Sequence, residues 1–155
     1  MAAALLVSFA SYAGDIEISG VWTRATAPGQ ETAGVDMTIT SKKAATLVGV
    51  SSPVAKTGEL HSMKDEGGMM RMREVQSIEL PANKRVNLSE SGYHLMLDGL
   101  KGPLKEGETV PLVLSIKVDN QRVLEVKTFA EVKSMTETKA SAQDNGHQHM
   151  HMQMN

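Results

Sequence analysis

Two side-chain types able to hold a soft metal ion gather between His61 and Met96. His61 and Met63 open the stretch, Met69, Met70 and Met72 follow a Gly67-Gly68 pair, and His94 and Met96 close it. Thioether sulfur is a soft donor and imidazole a borderline one, so clustering both selects for copper, and for Cu(I) above all. His61, Met72, His94 and Met96 are the four side chains expected to share one ion. A second cluster ends the chain, where HQHMHMQMN sets His147, His149 and His151 among Met150, Met152 and Met154. Imidazoles at alternate positions suit Cu(II), which prefers nitrogen, and the thioethers suit Cu(I). These six residues are expected to form a separate copper-binding tail.

The elements around the first cluster must bring its members together. In YHLML side chains alternate across a strand, so His94 and Met96 share one face and Tyr93, Leu95 and Leu97 the other. Burying the two leucines turns the imidazole and the thioether outward, about 6.5–7 Å apart along the strand. His61 is expected to end the strand VAKTGELH, with MKDEGGMM as a charged turn and MREVQSIEL as the next strand, up to Pro81. The gap between His61 and Met72 lets a hairpin return beside its start. Met63, Met69 and Met70 then lie exposed at the turn, as a docking rim, a capture relay or loop residues without a role.

The remaining chain reads as short strands divided by turn residues. Ile16 and Ile18 alternate with Asp15, Glu17 and Ser19. Val35, Met37 and Ile39 alternate with Asp36, Thr38 and Thr40, which makes Met37 core rather than ligand. TLVGVSS is a more uniformly apolar strand. VPLVLSIKV and RVLEVKTFAEV are joined by Asp119-Asn120-Gln121, and the second sets Val123, Glu125 and Lys127 against Leu124, Val126 and Thr128. No segment sustains a helical apolar period, and about nine strands imply an all-β Greek-key sandwich or barrel.

Residues 1–13 (MAAALLVSFASYA) read as the end of a secretory signal peptide without its basic start, with Ser11 and Ala13 suiting cleavage before Gly14. Residues 14–133 form the expected domain, and residues 134–155 a polar, disordered tail. The absence of cysteine excludes disulfides, thiol redox chemistry and a thiolate-bound blue-copper centre. It also fits an oxidising compartment, where a thioether outlasts a thiol. A net charge of −2 gives no pull toward nucleic acid or an anionic membrane. No apolar run approaches the roughly 20 residues that span a bilayer. Against an enzyme stand the missing Cys ligand, the lack of a carboxylate–His facial set, and no His at the presumed mature N-terminus.

The spacing His61-X10-Met72-X21-His94-X-Met96 resembles the H(M)X10MX21HXM signature of the periplasmic copper chaperones called PCuAC. WTRAT at Trp22, LVGVSSPVA at Leu47, ELHSM at His61, MMRMR at Met72, HLMLDGLKGPLKEGE at His94 and VPLVL at Pro111 resemble further family blocks. The resemblance covers about Ile16 to Val132. It implies a cupredoxin-like sandwich binding Cu(I) through His61, Met72, His94 and Met96. It also implies a periplasmic chaperone passing copper toward cytochrome c oxidase and its CuA centre, with an oxidase subunit or another copper chaperone as partner. A monomer with tail-mediated contacts is expected. The competing expectation is a copper storage or resistance protein, which the tail favours.

Overall fold

The structure, a computed structural model, describes residues 12–135. Most of the expected leader and nearly all of the His/Met-bearing tail lie outside the described residues. The strands are β1 (Tyr12–Ala13), β2 (Ile16–Arg24), β3 (Thr32–Ser41), β4 (Ala45–Ser51), β5 (Ala55–Glu66), β6 (Met69–Val75), β7 (Ile78–Leu80), β8 (Arg85–Asn87), β9 (Tyr93–Leu100), β10 (Thr109–Lys117) and β11 (Val123–Lys133). A 3-10 turn at Asp119–Gln121 links the last two.

The strands join in one sheet of order β6-β5-β9-β3-β2-β11-β10-β4-β7, with β1 paired to β2 and β8 to β3. The β11–β2 pair is parallel and the others antiparallel. Period-two patterning decides which side is buried. On β10, Val110, Leu112, Leu114 and Ile116 are buried; on β11, Val126, Thr128, Ala130 and Val132 are buried while the residues between them are mostly exposed. Met37 is fully buried, as its alternation on β3 predicts.

The sheet folds over on itself. β6 and β7 stand at opposite ends of the strand order, yet only Gln76 and Ser77 separate them in sequence. A link that short spans about 10 Å at most, so the two ends curl to within reach of each other. They share no ladder, so the sheet is an open sandwich rather than a closed barrel. The residues it encloses form one cluster, to which every strand except β1 and β6 contributes a buried apolar side chain among the described residues.

Two sequence-based boundaries move. MREVQSIEL is not one strand: its first part belongs to β6, and Ile78–Leu80 pairs with β4 at the other end of the sheet. Apolar residues, Val75 and Ile78, flank the break, so the apolar pattern continues past it. Likewise, β5 does not stop at His61 but continues to Glu66, and the turn contracts to Gly67-Gly68. Both glycines have positive φ, 65° and 85°, as a two-residue type I′ hairpin demands. Met63, Met69 and Met70 therefore sit on strands, not in a loop.

Where β5 leaves β4, Gly58 lies against Val50. A Cβ on Gly58 would overlap the Val50 carbonyl and come within 2.9 Å of its Cγ1. Gly58→Ala is expected to lower stability by about 1–3 kcal/mol through forced displacement of backbone. Urea denaturation checks this, and an unchanged midpoint would refute the close approach.

Candidate metal centre

Directly opposed residues of an antiparallel pair lie on the same face of the sheet. On β5 and β9, His61 opposes His94 and Glu59 opposes Met96. On β5 and β6, Met63 opposes Met72 and His61 opposes Glu74. The three strands are neighbours, so the four sequence-predicted donors occupy one face of the β6-β5-β9 edge. The opposite face carries Leu60, Leu95 and Leu97, all buried in the core. The alternation expected in YHLML is present.

His61 is the centre of this arrangement. His94 lies directly across, where opposed Cβ atoms sit about 4.5–5.5 Å apart. Met96 and Met72 are its diagonal neighbours, on opposite sides, at about 7–8 Å. Met72 and Met96 are then separated by two strand spacings and four residues of rise, about 16 Å on a flat ladder. The backbone thus groups His61, His94 and Met96 closely and leaves Met72 one step outboard on the edge strand. Exposure follows the same order: the His61 side chain is 17% exposed, His94 and Met96 are half-buried, and Met72 is 48% exposed. Gly34 of β3 opposes Met96, and its missing side chain leaves the Met96 Sδ room; a Cβ there would lie 3.8 Å from the sulfur.

One contact fixes the His61 ring. Its Nε2 lies 2.7 Å from Glu59 Oε2. An ionised carboxylate can only accept, so this nitrogen carries the ring proton. Nδ1 is then left as a lone pair. Among the described residues it is the one buried side-chain nitrogen or oxygen without a hydrogen-bond partner. A buried polar atom left unpaired costs about 1–3 kcal/mol, and a soft cation would satisfy it. Metal-binding imidazoles commonly donate their other N–H to a carboxylate in this way. Glu59 is not among the sequence-predicted donors; its signal is the Glu-X-His spacing, which on a strand sets both side chains on one face.

Charge is segregated across the hairpin. Arg73 makes two 2.9 Å hydrogen bonds to Glu66, and Arg71 lies 3.5 Å from the same carboxylate, all on the face turned away from the imidazoles. The Arg73 hydrogen bond holds the Glu66 carboxyl below its ordinary range and in turn raises Arg73. The His/Met face carries no arginine on β5, β6 or β9, and includes Glu59 and Glu74. No three His, Cys, Asp or Glu side chains form a metal-holding group among the described residues. The donors available here are two imidazoles and the thioethers. His94 also borders a groove of about 530 Å³ lined by Trp22, Asp36 and Glu90. The Trp22 ring in that groove is covered by Lys133 and Arg24, 4.9 and 5.5 Å from its centroid.

An open, folded-over sheet of this order is a cupredoxin-like β-domain, and known proteins share it. The sequence matches the LpqE-like family, described as "Putative lipoprotein LpqE-like", over residues 16–128. The chain belongs to this family, which is the PCuAC family. The solution structure of Cu(I)-bound DR1885 from Deinococcus radiodurans is 34% identical, with a TM-score of 0.56, over 74% of this chain and 75% of that one. The copper-bound PCuAC domain of PmoF2 is 23% identical, with a TM-score of 0.61, over 78% of this chain and 94% of the domain, a likeness of fold. "Putative lipoprotein Lxx21020" of Leifsonia xyli subsp. xyli is 32% identical over 100 residues, 64% of this chain and 60% of that protein. The chain thus spans less than two thirds of that relative's length.

Replacing Glu59 by Leu is expected to release the His61 ring. Imidazole nitrogen spectra of the metal-free protein should show His61 protonated at Nε2 in the native chain and a mixture of tautomers in the variant. An unchanged spectrum would deny Glu59 its orienting role.

Proposed function

We propose that this protein is an exported copper chaperone that carries Cu(I) on His61, His94 and Met96, with Met72 as fourth ligand once the edge hairpin bends inward from its outboard position. The observation that carries the reading is the buried, unpartnered Nδ1 of His61, held by Glu59 directly across from His94. Cu(I)-bound DR1885, at 34% identity, supports the same cargo for this chain. The lipoprotein names of the family and of the Leifsonia relative support export, in line with the expected leader and the absence of cysteine. The periplasm is the compartment this reading assigns.

A chaperone must hold its ion firmly and release it quickly. Imidazole and thioether are neutral ligands, so Cu(I) can exchange without separation from a thiolate charge. The same neutrality disfavours the harder Cu(II). The graded exposure from His61 to Met72 leaves one side of the ion open to a partner's ligands. The recipient this reading assigns is a cytochrome c oxidase subunit, with the CuA centre as destination, or another copper chaperone. The protein is a carrier, not an enzyme, and works as a monomer. The tail residues His147, His149, Met150, His151, Met152 and Met154 add a second copper site. That tail favours a second reading, a storage or resistance protein, which differs in holding several ions and releasing them slowly.

Met96→Ala is expected to weaken Cu(I) binding at least about tenfold, no less than loss of a supporting partner typically does. Competition with a chromophoric chelator checks this, and unchanged affinity removes Met96 from the site. Deleting residues 146–155 should lower Cu(II) stoichiometry and leave Cu(I) at the core site. Rapid transfer of one ion to an apo oxidase domain favours the chaperone; retention of several ions favours storage.

A further inference from the structure

β6 is exposed along almost its whole length and gives the core no fully buried residue. Three of its seven residues are methionines, with Met69 and Met70 each 62% exposed and Met72 48% exposed. Chance scatter does not describe their placement. Met70 and Met72 lie on the face shared with the two imidazoles, and Met63 of β5 directly opposes Met72. Met63, Met70 and Met72 thus form a compact thioether triangle, with one edge across the ladder at about 4.5–5.5 Å and one along β6 at about 6.5–7 Å. On the side of Met63 away from β6 the neighbour is Gly92, whose carbonyl accepts the Met63 N–H at 2.7 Å. Glycine puts no side chain there, so the triangle is roofed by nothing from β9. The arginines of the hairpin point to its other face, where Glu66 occupies them.

We propose that Met63, Met70 and Met72 form a separate landing site for Cu(I), which passes the ion inward to His61, His94 and Met96 with Met72 common to both. The inference rests on Cu(I) being the cargo. Three neutral sulfurs suit a soft monovalent ion, and these stand at the solvent boundary. Handover breaks the copper bonds to Met63 and Met70 and forms those to His61, His94 and Met96. The oxidation state does not change. No proton leaves His61, because its Nδ1 already presents a lone pair. Met72 stays bound throughout, one diagonal step from His61.

Two measurements on the full-length chain test this. In the first, methionine methyl resonances are followed while a His61→Ala/His94→Ala variant is titrated with Cu(I) under reducing conditions. The Met63, Met70 and Met72 methyls should move together, and adding Met63→Leu/Met70→Leu should abolish the Met72 shift. Immobile Met63 and Met70 methyls would overturn the landing site. In the second, copper is supplied from a Cu(I)–chelator complex to the chain with both histidines intact. Met63→Leu/Met70→Leu should slow loading several-fold and leave equilibrium affinity unchanged; equal loading rates would overturn the proposal. In the native chain the Met96 methyl separates the two failures. If Met96 shifts while Met63 and Met70 play no part, only the landing site is lost; if Met96 never responds to Cu(I), the cargo assignment falls with it.

Discussion

One register decision sets both the core and the His/Met face. Along β5 and β9, Leu60 opposes Leu95 and His61 opposes His94, one residue on. Burial of Leu60, Leu95 and Leu97 turns the odd–even alternation so that the imidazoles look outward. A slip of β5 by a single residue would turn His61 into the apolar interior and Leu60 into water, and would part the two imidazoles onto opposite faces. Each leucine is worth about 1.5–3 kcal/mol of burial, so the pairing that juxtaposes the imidazoles is enforced by the core beneath them. The donor geometry therefore requires no interaction of its own to hold it in the absence of metal.

The same reasoning separates what the sequence disclosed from what it hid. Alternation was legible wherever one face of a strand is buried: Met37 among Val35 and Ile39, and the outward pair His94 and Met96, follow from it directly. It was not legible on β6, where both faces are solvated and no residue is constrained to be apolar or polar. The hairpin end consequently reads as a longer turn, though Gly67 and Gly68 alone reverse the chain. The break at Gln76-Ser77 was hidden for the opposite reason, since Val75 and Ile78 are both apolar and only the curl of the sheet sends them to different edges. The spacing of the four donors identified them, but the distance of Met72 from Met96 is a property of the register between three strands, which spacing does not contain.

Glu59 illustrates a further limit. A Glu-X-His pair on a strand is common, and nothing in composition distinguishes an orienting carboxylate from a solvated one. Its role becomes visible only as a pair of atomic facts, the 2.7 Å contact at Nε2 and the unsatisfied Nδ1. Each fact alone is ordinary. Together they say that the ring is held with its lone pair committed to nothing in the protein, a state that a core histidine serving only structure would avoid by turning or recruiting a donor.

The edge hairpin runs against the usual economy of a β-sheet. An exposed edge strand commonly carries charge to discourage pairing with other chains. β6 does so on one face, with Arg71 and Arg73, and leaves thioethers on the other. Each exposed methionine forgoes burial worth about 1.5–3 kcal/mol, and leucine in its place would sacrifice as much without offering a donor atom. A donor sulfur on a flexible, unbranched chain distinguishes methionine from the other large apolar residues. Methionines beside the imidazole-bearing strand, on an edge strand that gives the core no buried side chain, make sense where stability was not the quantity being optimised. The arginines then do two things at once: they blunt the edge, and by pairing with Glu66 on the far face they leave the His/Met face of the hairpin without their charge.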